Sequence, residues 1–568
     1  VEAEPRGEEA RRLSDALGLH PLAARALASR GLADPALAAR FLSPRLEDLP
    51  DPFLMKGMED AAGRIVRAVE EGERIACYGD YDVDGVTSTT LLAGFLRAAG
   101  ADVVTYIPHR LAEGYGLNTA AVGRLAAEGV RLLVTLDCGI TSVAEVAEAA
   151  RLGVDVVVVD HHTVPVDLPA ARAILNPHQP GCGYPSRHLA AVGVTFNLAM
   201  ALRRRLRERG RFGPSRPEPN LREALDLVAL GTIADVVPLV EVNRVLVRFG
   251  LAEIGKARRP GVRALLRVAG VPAGDVAASQ VGFRLAPRLN AAGRLDDAGR
   301  GVRLLSTADA SVADALAEEL DRENRARQEI ERQILEEALA DAAERVAAGA
   351  RGLVLSRPGW HPGVVGIVAS RVVERFHRPA VLVGVSDGVG KGSGRSIAAF
   401  HLHDALCACA GNLLRFGGHR HAAGVTIAPE AIPAFRADFE RHAAAALSDE
   451  DLVPHTRIEG WIASEELDER AAADLERLAP FGAGNPEPVF GVRGRPSRAR
   501  QVGAGGAHLK LVIAERDAIA FQMGDRLPLC AGPVEAAVSL GFDDWDGMRR
   551  LQLRVRDLRA PPPGAGAG

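Results

Sequence analysis

The chain has 568 residues, 47% of them hydrophobic and 25% charged, with a formal net charge of −4; that length exceeds one hydrophobic core and implies three or four domains. Its longest uncharged apolar stretch, residues 189–202, is too short to cross a bilayer, and no basic, apolar leader opens the sequence, so no membrane role is expected. Six cysteines without CxxC spacing exclude a zinc ribbon or a disulfide framework and favour a reducing cytosol, while the slightly acidic sum does not by itself advertise a nucleic-acid binder.

Residues 1–50 read as a helical cap on the first domain, with Leu17, Leu19, Leu22, Ala26 and Leu27 on an apolar stripe and breaks at Pro21, Pro35 and Pro44. Residues 51–300 read as an α/β domain. Strands at 75–78, 103–107, 132–136 and 154–159 alternate with helices at 87–99, 119–128 and 142–152. Apolar strands separated by amphipathic helices imply a parallel sheet covered on both faces, and ligands of such sheets bind beyond the carboxyl ends of the strands.

The acids fall at those ends. In RIACYGDYDVDG, Asp80, Asp82 and Asp84 occupy every second position; on an extended chain they share one face, where three carboxylates repel one another unless a cation joins them. Oxygen ligands suit a hard divalent metal. Asp137 follows the strand LLVTL, and Asp160, with His161 and His162, follows VDVVVV. Any one Asp after a strand can cap the next helix, but three at one sheet edge point to a metal. After a helix at 221–230, Asp235 interrupts the apolar segment GTIADVVPL, where it needs a partner or a metal; a salt-bridged or capping role is an equal reading of that residue alone.

Phosphate-binding residue types accompany the acids. IPHRLAEGYGLN supplies His109, Arg110 as a phosphate clamp and Tyr115 as a base-stacking ring, the alternative being a solvated turn. A helix at 189–209 ends in Arg203, Arg204, Arg205, Arg207, Arg209 and Arg211, which either track a nucleic-acid backbone or form a solvated helix end favoured by its dipole; they are left out of the site. APRLNAAGR supplies Arg288, Asn290 and Arg294. Neither glycine nor proline occurs from Val302 to Ala348, so residues 301–350 read as one helix of about 40 residues that could reach roughly 60 Å between two domains.

Residues 351–450 form a second α/β unit, with strands at 352–355 and 380–385 and a helix at 364–375. Its glycine-rich segments KGSGRS and GGHRHAAG place Arg395, Ser396, Gly418, His419 and His421 for an anion; the histidines suit a metal, a phosphate or a plain turn, and phosphate is chosen because no carboxylate accompanies them. Ser370 and Arg371 are possible helpers on the preceding helix. Residues 451–560 carry short strands at 457–461, 489–495, 508–513, 518–523, 534–540 and 551–556, the pattern of a small barrel. With aromatics at only 4%, its grip on a single strand would lean on Arg498, Arg500, Lys510, Arg516 and Phe521. Residues 561–568, PPPGAGAG, read as a flexible tail.

In order and spacing, DYDVDG, LDCGI, DHH and IADVVPL resemble the four motifs of the DHH phosphoesterase superfamily. With IPHRLAEGYGLN, APRLNAAGR, GRSIAAFHLHDAL and GGHRHAAG, the chain from about residue 50 onward is similar to the bacterial RecJ family of single-stranded-DNA-specific exonucleases. The resemblance implies two α/β domains, a DHH parallel-sheet domain and a DHHA1-like domain, joined by the long helix and followed by an OB-fold barrel. It implies two divalent metal ions, Mn2+ by preference or Mg2+, with Asp80 and Asp82 on one, Asp84, His161 and Asp235 on the other, and Asp137 bridging. Asp160 would orient its neighbours and His162 would touch the scissile phosphate.

The activity so implied is 5′-to-3′ hydrolysis of single-stranded DNA to 5′ mononucleotides, in DNA repair and recombination: end resection, mismatch repair and base excision repair. The implied partners are single-stranded DNA, a single-strand-binding protein and a RecQ-type helicase; the implied state is a monomer in the bacterial cytosol, associated with the nucleoid. A small-substrate phosphoesterase of the same superfamily would need neither the barrel nor the long helix, and a non-catalytic relative would have lost acids that are all in place here.

Overall fold

The computed structural model describes residues 2, 6–109, 113–114, 116–295, 298–543 and 549–561, and of residues 294 and 295 the backbone alone. The chain forms two compact units, one of Val1–Ala286, Ala298–Asp314 and Thr456–Gly568, the other of Pro287–Asp297 and Ala315–His455.

The first unit opens with α1 (Gly7–Leu17), α2 (Pro21–Ser29) and α3 (Pro35–Leu42). His20 and Asp34 accept the backbone N–H groups of Leu22 and Leu37, and a proline follows each cap where its missing N–H costs nothing. Most of the expected stripe is buried in one core with Leu467, Ala471, Leu475, Leu478 and the barrel strands, while the cap meets the first α/β domain at Phe41, whose O accepts Arg244 Nε at 2.8 Å. The other half of that core lies more than 400 residues away, where His20 N donates to Asp474 at 2.8 Å and Arg30 Nε to Asn485 at 3.0 Å.

After α4 (Met58–Glu71) come β1 (Arg74–Gly79), α5 (Val83–Ala98), β2 (Val103–Tyr106), α6 (Thr119–Ala127), β3 (Val130–Leu136), α7 (Val143–Arg151), β4 (Asp155–Val159) and the unforeseen β5 (Ala173–Leu175). They make a parallel sheet of order β2-β1-β3-β4-β5. Gly79 is level with Leu136, Leu136 with Val159 and Val159 with Leu175. The next residue of each strand is therefore held by its neighbour: Asp80 N donates to Leu136 O (3.0 Å), Asp137 N to Val159 O (2.9 Å) and Asp160 N to Leu175 O (3.0 Å). The register thus delivers three acids to one sheet edge.

The domain continues through α8 (Ala191–Glu208), α9 (Leu225–Ala234), α10 (Glu241–Gly255), α11 (Pro260–Ala269), α12 (Ala278–Gln280) and a π-helical turn at Val281–Leu285; of the next helices, α13 (Ala286–Leu295) belongs from Pro287 onward to the second unit, and α14 (Gly299–Ser306) to the first. The arginines at the end of α8 are committed to acids: Arg204 to Asp51 (3.1 Å), Arg205 to Glu59 (2.5 Å), Arg203 and Arg207 to Glu218, and Arg209 to Glu70 (3.7 Å).

The single long helix expected from 302 to 348 is interrupted: α14 stops at Ser306 and α15 spans Ala310–Ala347. Asp309 makes the break without glycine or proline, accepting Ser311 N at 2.8 Å and Val312 N at 3.3 Å as an N-cap does. The second unit then runs β6 (Leu353–Pro358), α16 (Val365–Phe376), β7 (Ala380–Ser386), β8 (Val389–Arg395), α17 (Leu402–Ala408), β9 (Arg415–Gly418), β10 (Ala422–Ile427) and α18 (Ile432–Ala446), in a sheet of order β6-β7-β8-β10-β9. The segments expected as glycine loops are mostly strand. In β8 a Cβ on Gly392 would lie 2.8 Å from both Leu382 O and Val425 Cγ2, so this glycine serves strand packing.

The barrel, led by α19 (Glu469–Glu476), is one sheet of β11 (Phe490–Gly494), β12 (Ser497–Val502), β13 (His508–Ile513), β14 (Arg516–Ala520), β15 (Val534–Asp543) and β16 (Arg550–Arg559), ordered β11-β15-β16-β14-β13-β12. The strand expected at 457–461 is reduced to isolated bridges at Ile458 and Trp461, although Glu459 N still donates to Val489 O and Gly460 O accepts Gly491 N, and Arg25 of α2 donates to the carbonyls of Glu459 and Trp461. β12 went unforeseen, since SRARQV has no apolar alternation to read. All six cysteines are free thiols, and among the described residues no helix is long and apolar enough to cross a membrane.

Candidate metal centre

The three acids of DYDVDG do not line one face of an extended strand. β1 ends at Gly79 and α5 begins at Val83, four residues earlier than expected, so the acids climb from a strand end into a helix N-terminus. Asp80 is buried at the strand end. Asp82 caps α5, accepting Asp84 N at 2.8 Å and Gly85 N at 3.1 Å. Asp84 lies buried in the first turn and accepts Ala191 N at 2.6 Å and Val192 N at 2.8 Å from the start of α8. Gly85 permits the close approach: a Cβ there would lie 2.4 Å from Asp80 O.

Asp137 leaves β3 with φ 66°, a left-handed conformation that aspartate tolerates better than most residues. Asp160 is fully buried and joins two motifs. Its Oδ2 accepts Ile140 N (3.0 Å), and its Oδ1 accepts His161 N (2.8 Å), His162 N (3.1 Å) and His162 Nδ1 (2.7 Å). So held, His161 points Nε2 at Asp137 Oδ1 (3.2 Å), Asp235 Oδ2 (3.4 Å) and Asp84 Oδ2 (3.9 Å). Asp235 arrives as the residue that ends α9.

Three donor groups result, each with its ligand atoms within 4.8 Å of one another: Asp80, Asp82 and Asp137; Asp84, His161 and Asp235; and Asp137, His161 and His162. Their electrostatics are those of a site lacking positive charge. Burial and repulsion from neighbouring acids push Asp84 and Asp137 well above the usual carboxylate range, and burial with the Asp82 charge pushes Asp235 up to about 7. Burial lowers His161 to about 4, which leaves a neutral imidazole, and its buried Nε2 has no hydrogen-bond partner among the described residues. Burial works against charge on His162 too, but the hydrogen bond and charge of Asp160 prevail and raise it to about 9. Hard carboxylate oxygens with one neutral imidazole fit divalent cations such as Mn2+ or Mg2+.

The other expected contact residues divide. Arg110, Tyr115 and the side chain of Arg294 lie outside the described residues. His109 N donates to Glu113 at 2.8 Å. Arg288 forks onto Asp321, with Nε and a terminal nitrogen both at 2.9 Å, and Asn290 is half-buried on α13. Ser370 bonds back to Gly366 O at 3.3 Å, and Arg371 pairs with Glu374 of its own helix at 3.1 Å and with Glu331 of α15 at 4.0 Å. Arg395 differs: it is half-buried, its bonds go to Ser393 Oγ (2.9 Å) and Gly394 O (2.8 Å), and no carboxylate among the described residues pairs with it. Ser396 N is bonded to His421 O, and His419 and His421 are exposed around the turn after Gly418.

On the barrel, Arg500 stands opposite Lys510, Lys510 opposite Ile519 and Ile519 opposite Arg554, a row across four strands. Arg498 is exposed, and Phe521 is 57% exposed with its ring edge-on to His508. Arg516 does not join them, because it donates to Leu467 O at 2.8 Å. Arg554 was missed, though the alternation of RLQLRVR, with Leu553 and Val555 buried, signals an outward arginine. Phe283 was also missed: it is 82% exposed on the π-helical turn, which packs on α9 through Gly282 and Ile233. The amides of Ala191 and Val192 gave no signal, since the donors are backbone.

The sequence matches the DHH family N-terminal domain over residues 74–232, the DHHA1 domain over 349–445 and the RecJ OB domain over 458–557. It is 40% identical to the single-stranded-DNA-specific exonuclease RecJ of Escherichia coli over 95% of this chain and 96% of the relative. Against that of Bacillus subtilis it is 37% identical over 97% of this chain and 70% of the relative. The crystal structure of RecJ from Thermus thermophilus in complex with Mn2+ superposes with a TM-score of 0.84 at 37% identity, covering 98% of this chain and 78% of that one, and the Mg2+ complex with a TM-score of 0.77. With DHH, DHHA1 and OB domains in order, and identity of this level along nearly the whole length, the chain belongs to the RecJ family of single-stranded-DNA-specific exonucleases.

Proposed function

We propose that this protein hydrolyses single-stranded DNA from its 5′ end, releasing 5′ mononucleotides, with Mn2+ or Mg2+ held in two neighbouring positions. Asp80, Asp82 and Asp137 would hold one ion, and Asp84, His161 and Asp235 the other, with Asp137 between them. The observation that carries this reading is the pair of donor triads converging on Asp137 and His161. Bound there, divalent cations would lower the pKa of a water and neutralise charge on the scissile phosphate.

The chain's own groups do the rest. Asp160 holds His162 as an imidazolium, a donor for a phosphate oxygen, and fixes the ring through Nδ1. No serine or cysteine nucleophile is needed. Catalysis is assigned to residues 51–300, phosphate binding to 351–450 through Arg395, Ser396, His419 and His421 with Arg288 and Asn290, and strand retention to 451–560 through Arg498, Arg500, Lys510 and Arg554. Phe283 offers a solvent-facing ring on which a base can stack. A role in repair and recombination beside a single-strand-binding protein and a RecQ-type helicase follows from this reading.

The test is a 5′-labelled single strand with Mn2+. Labelled mononucleotide at the earliest times is the expected product; its appearance only after the rest of the strand is consumed would reverse the polarity. Turnover of a long strand far above that of a dinucleotide separates this reading from a small-substrate phosphoesterase.

A further inference from the structure

Asp84 is held from behind by a helix that carries no metal-ligand residue. Ala191 and Val192 are the first residues of α8, whose leading N–H groups have no acceptor within the helix, and Ala190 at the cap offers no side-chain acceptor. Asp84 fills that role from 107 residues away, one N–H on each carboxylate oxygen, at 2.6 and 2.8 Å. A carboxylate has about four lone-pair sites, so two remain for a cation on the side facing His161 and Asp235.

The approach to this clamp is fixed by Asn243, which is fully buried on α10. Its Nδ2 donates both to His188 O at 2.5 Å and to Pro238 O at 3.0 Å. His188 lies just before α8 and Pro238 just after Asp235. One amide therefore ties the segment that orients Asp84 to the turn that delivers Asp235, the two acids of a single donor triad.

We propose that the amino end of α8 and the Asn243 amide are positioning elements that set the spacing of Asp84 and Asp235, and so the cation affinity of that triad, separately from the Asp80–Asp82–Asp137 triad. This rests on the reading above that the triads hold divalent cations.

The discriminating variant is Ala191→Pro. Proline suits the first position of a helix; it deletes the N–H and sets its ring Cδ where that hydrogen pointed at Asp84, so the carboxylate oxygen must also move away. Ala190, at φ −70° and ψ 164°, already has the extended conformation required before proline. Metal-stripped full-length protein is titrated with Mn2+, following heat by calorimetry and free Mn2+ by electron paramagnetic resonance. The wild type should bind two ions. Ala191→Pro should weaken one at least about tenfold, the scale of the one hydrogen bond to a charged group that it removes while crowding the Asp84 oxygen, and leave the other unchanged. Asn243→Ala should weaken the same site, and it decides the matter if Ala191→Pro has no cooperative melt without metal. Wild-type affinities at both sites in the folded variant, or equal weakening of both, would overturn the proposal. A wild type that binds fewer than two Mn2+ would overturn the metal reading beneath it.

Discussion

His162 Nδ1 lies 2.7 Å from Asp160 Oδ1, and that carboxylate is completely buried. The aspartate is therefore spent on orientation: it also accepts three backbone N–H groups, two from the histidines beside it and one from Ile140. Its negative charge is what holds His162 protonated up to about 9 despite burial. In Asp160→Asn the charge is lost and so is the acceptor for Ile140 N, because an amide NH2 cannot accept; the bonds to Oδ1 can persist, so the imidazolium should deprotonate at lower pH. NMR titration of the metal-free protein should show the His162 pKa falling by more than one unit, and the alkaline limb of the rate profile should move the same way. An unchanged His162 titration would remove Asp160 from this role.

Asp137 has the most demanding position, facing the Asp80–Asp82 pair on one side and His161 on the other. Asp137→Ala should reduce cleavage by roughly 10⁴-fold, the scale seen when one member of an interdependent catalytic set is removed. Binding of a short single strand, measured by fluorescence anisotropy, should stay within a few-fold of the wild type. Retained cleavage would mean that the centre lies elsewhere.

The acids at the strand ends were legible because a parallel sheet converts sequence position into place: whatever follows an apolar run emerges at the carboxyl edge. Which way they pointed was not legible, since period-two reasoning fails where Gly79 hands the chain to a helix. Local pattern also could not say what the arginines of α8 would meet, because Asp51, Glu59, Glu70 and Glu218 come from other segments. The same limit hid the burial of the amino-terminal helices against the barrel and the holding of Asp84 by backbone amides.

The crowded acids predict that metal binding is coupled to protons. Asp235, raised to about 7, is largely protonated at pH 6 in the metal-free protein. A cation must displace that proton, so apparent Mn2+ affinity should rise from pH 6 to pH 7 and level off above pH 8. Stability without metal should run the other way. Between the ordinary carboxylate value and about 7 the folded chain binds more protons than the unfolded one, so stability falls as pH rises. Melts in EDTA should therefore decline from pH 5 to pH 7.5, and added Mn2+ should stabilise most at the upper end. Calorimetry at pH 6 in buffers of different ionisation enthalpy should register proton release; a binding heat independent of buffer would show these acids already ionised.

The barrel row gives a prediction about binding that leaves the chemistry alone. Arg500 and Lys510 face each other across β12 and β13, a pairing of like charges that is unfavourable unless an anion lies over it. If a DNA backbone crosses there, the double variant Arg500→Ala with Lys510→Ala makes about two fewer phosphate contacts on binding. The slope of log K against log salt should become shallower by about 1.4, at roughly 0.7 per phosphate contact for single strands. Cleavage of long strands should become less processive, because the barrel no longer retains the strand between turnovers. Turnover of an oligonucleotide too short to reach the barrel should match the wild type, since neither residue approaches the acids of the metal centre in sequence or in sheet. An unchanged salt slope would move the strand to another face of the barrel, with exposed Arg498 and Phe521 the next residues to substitute.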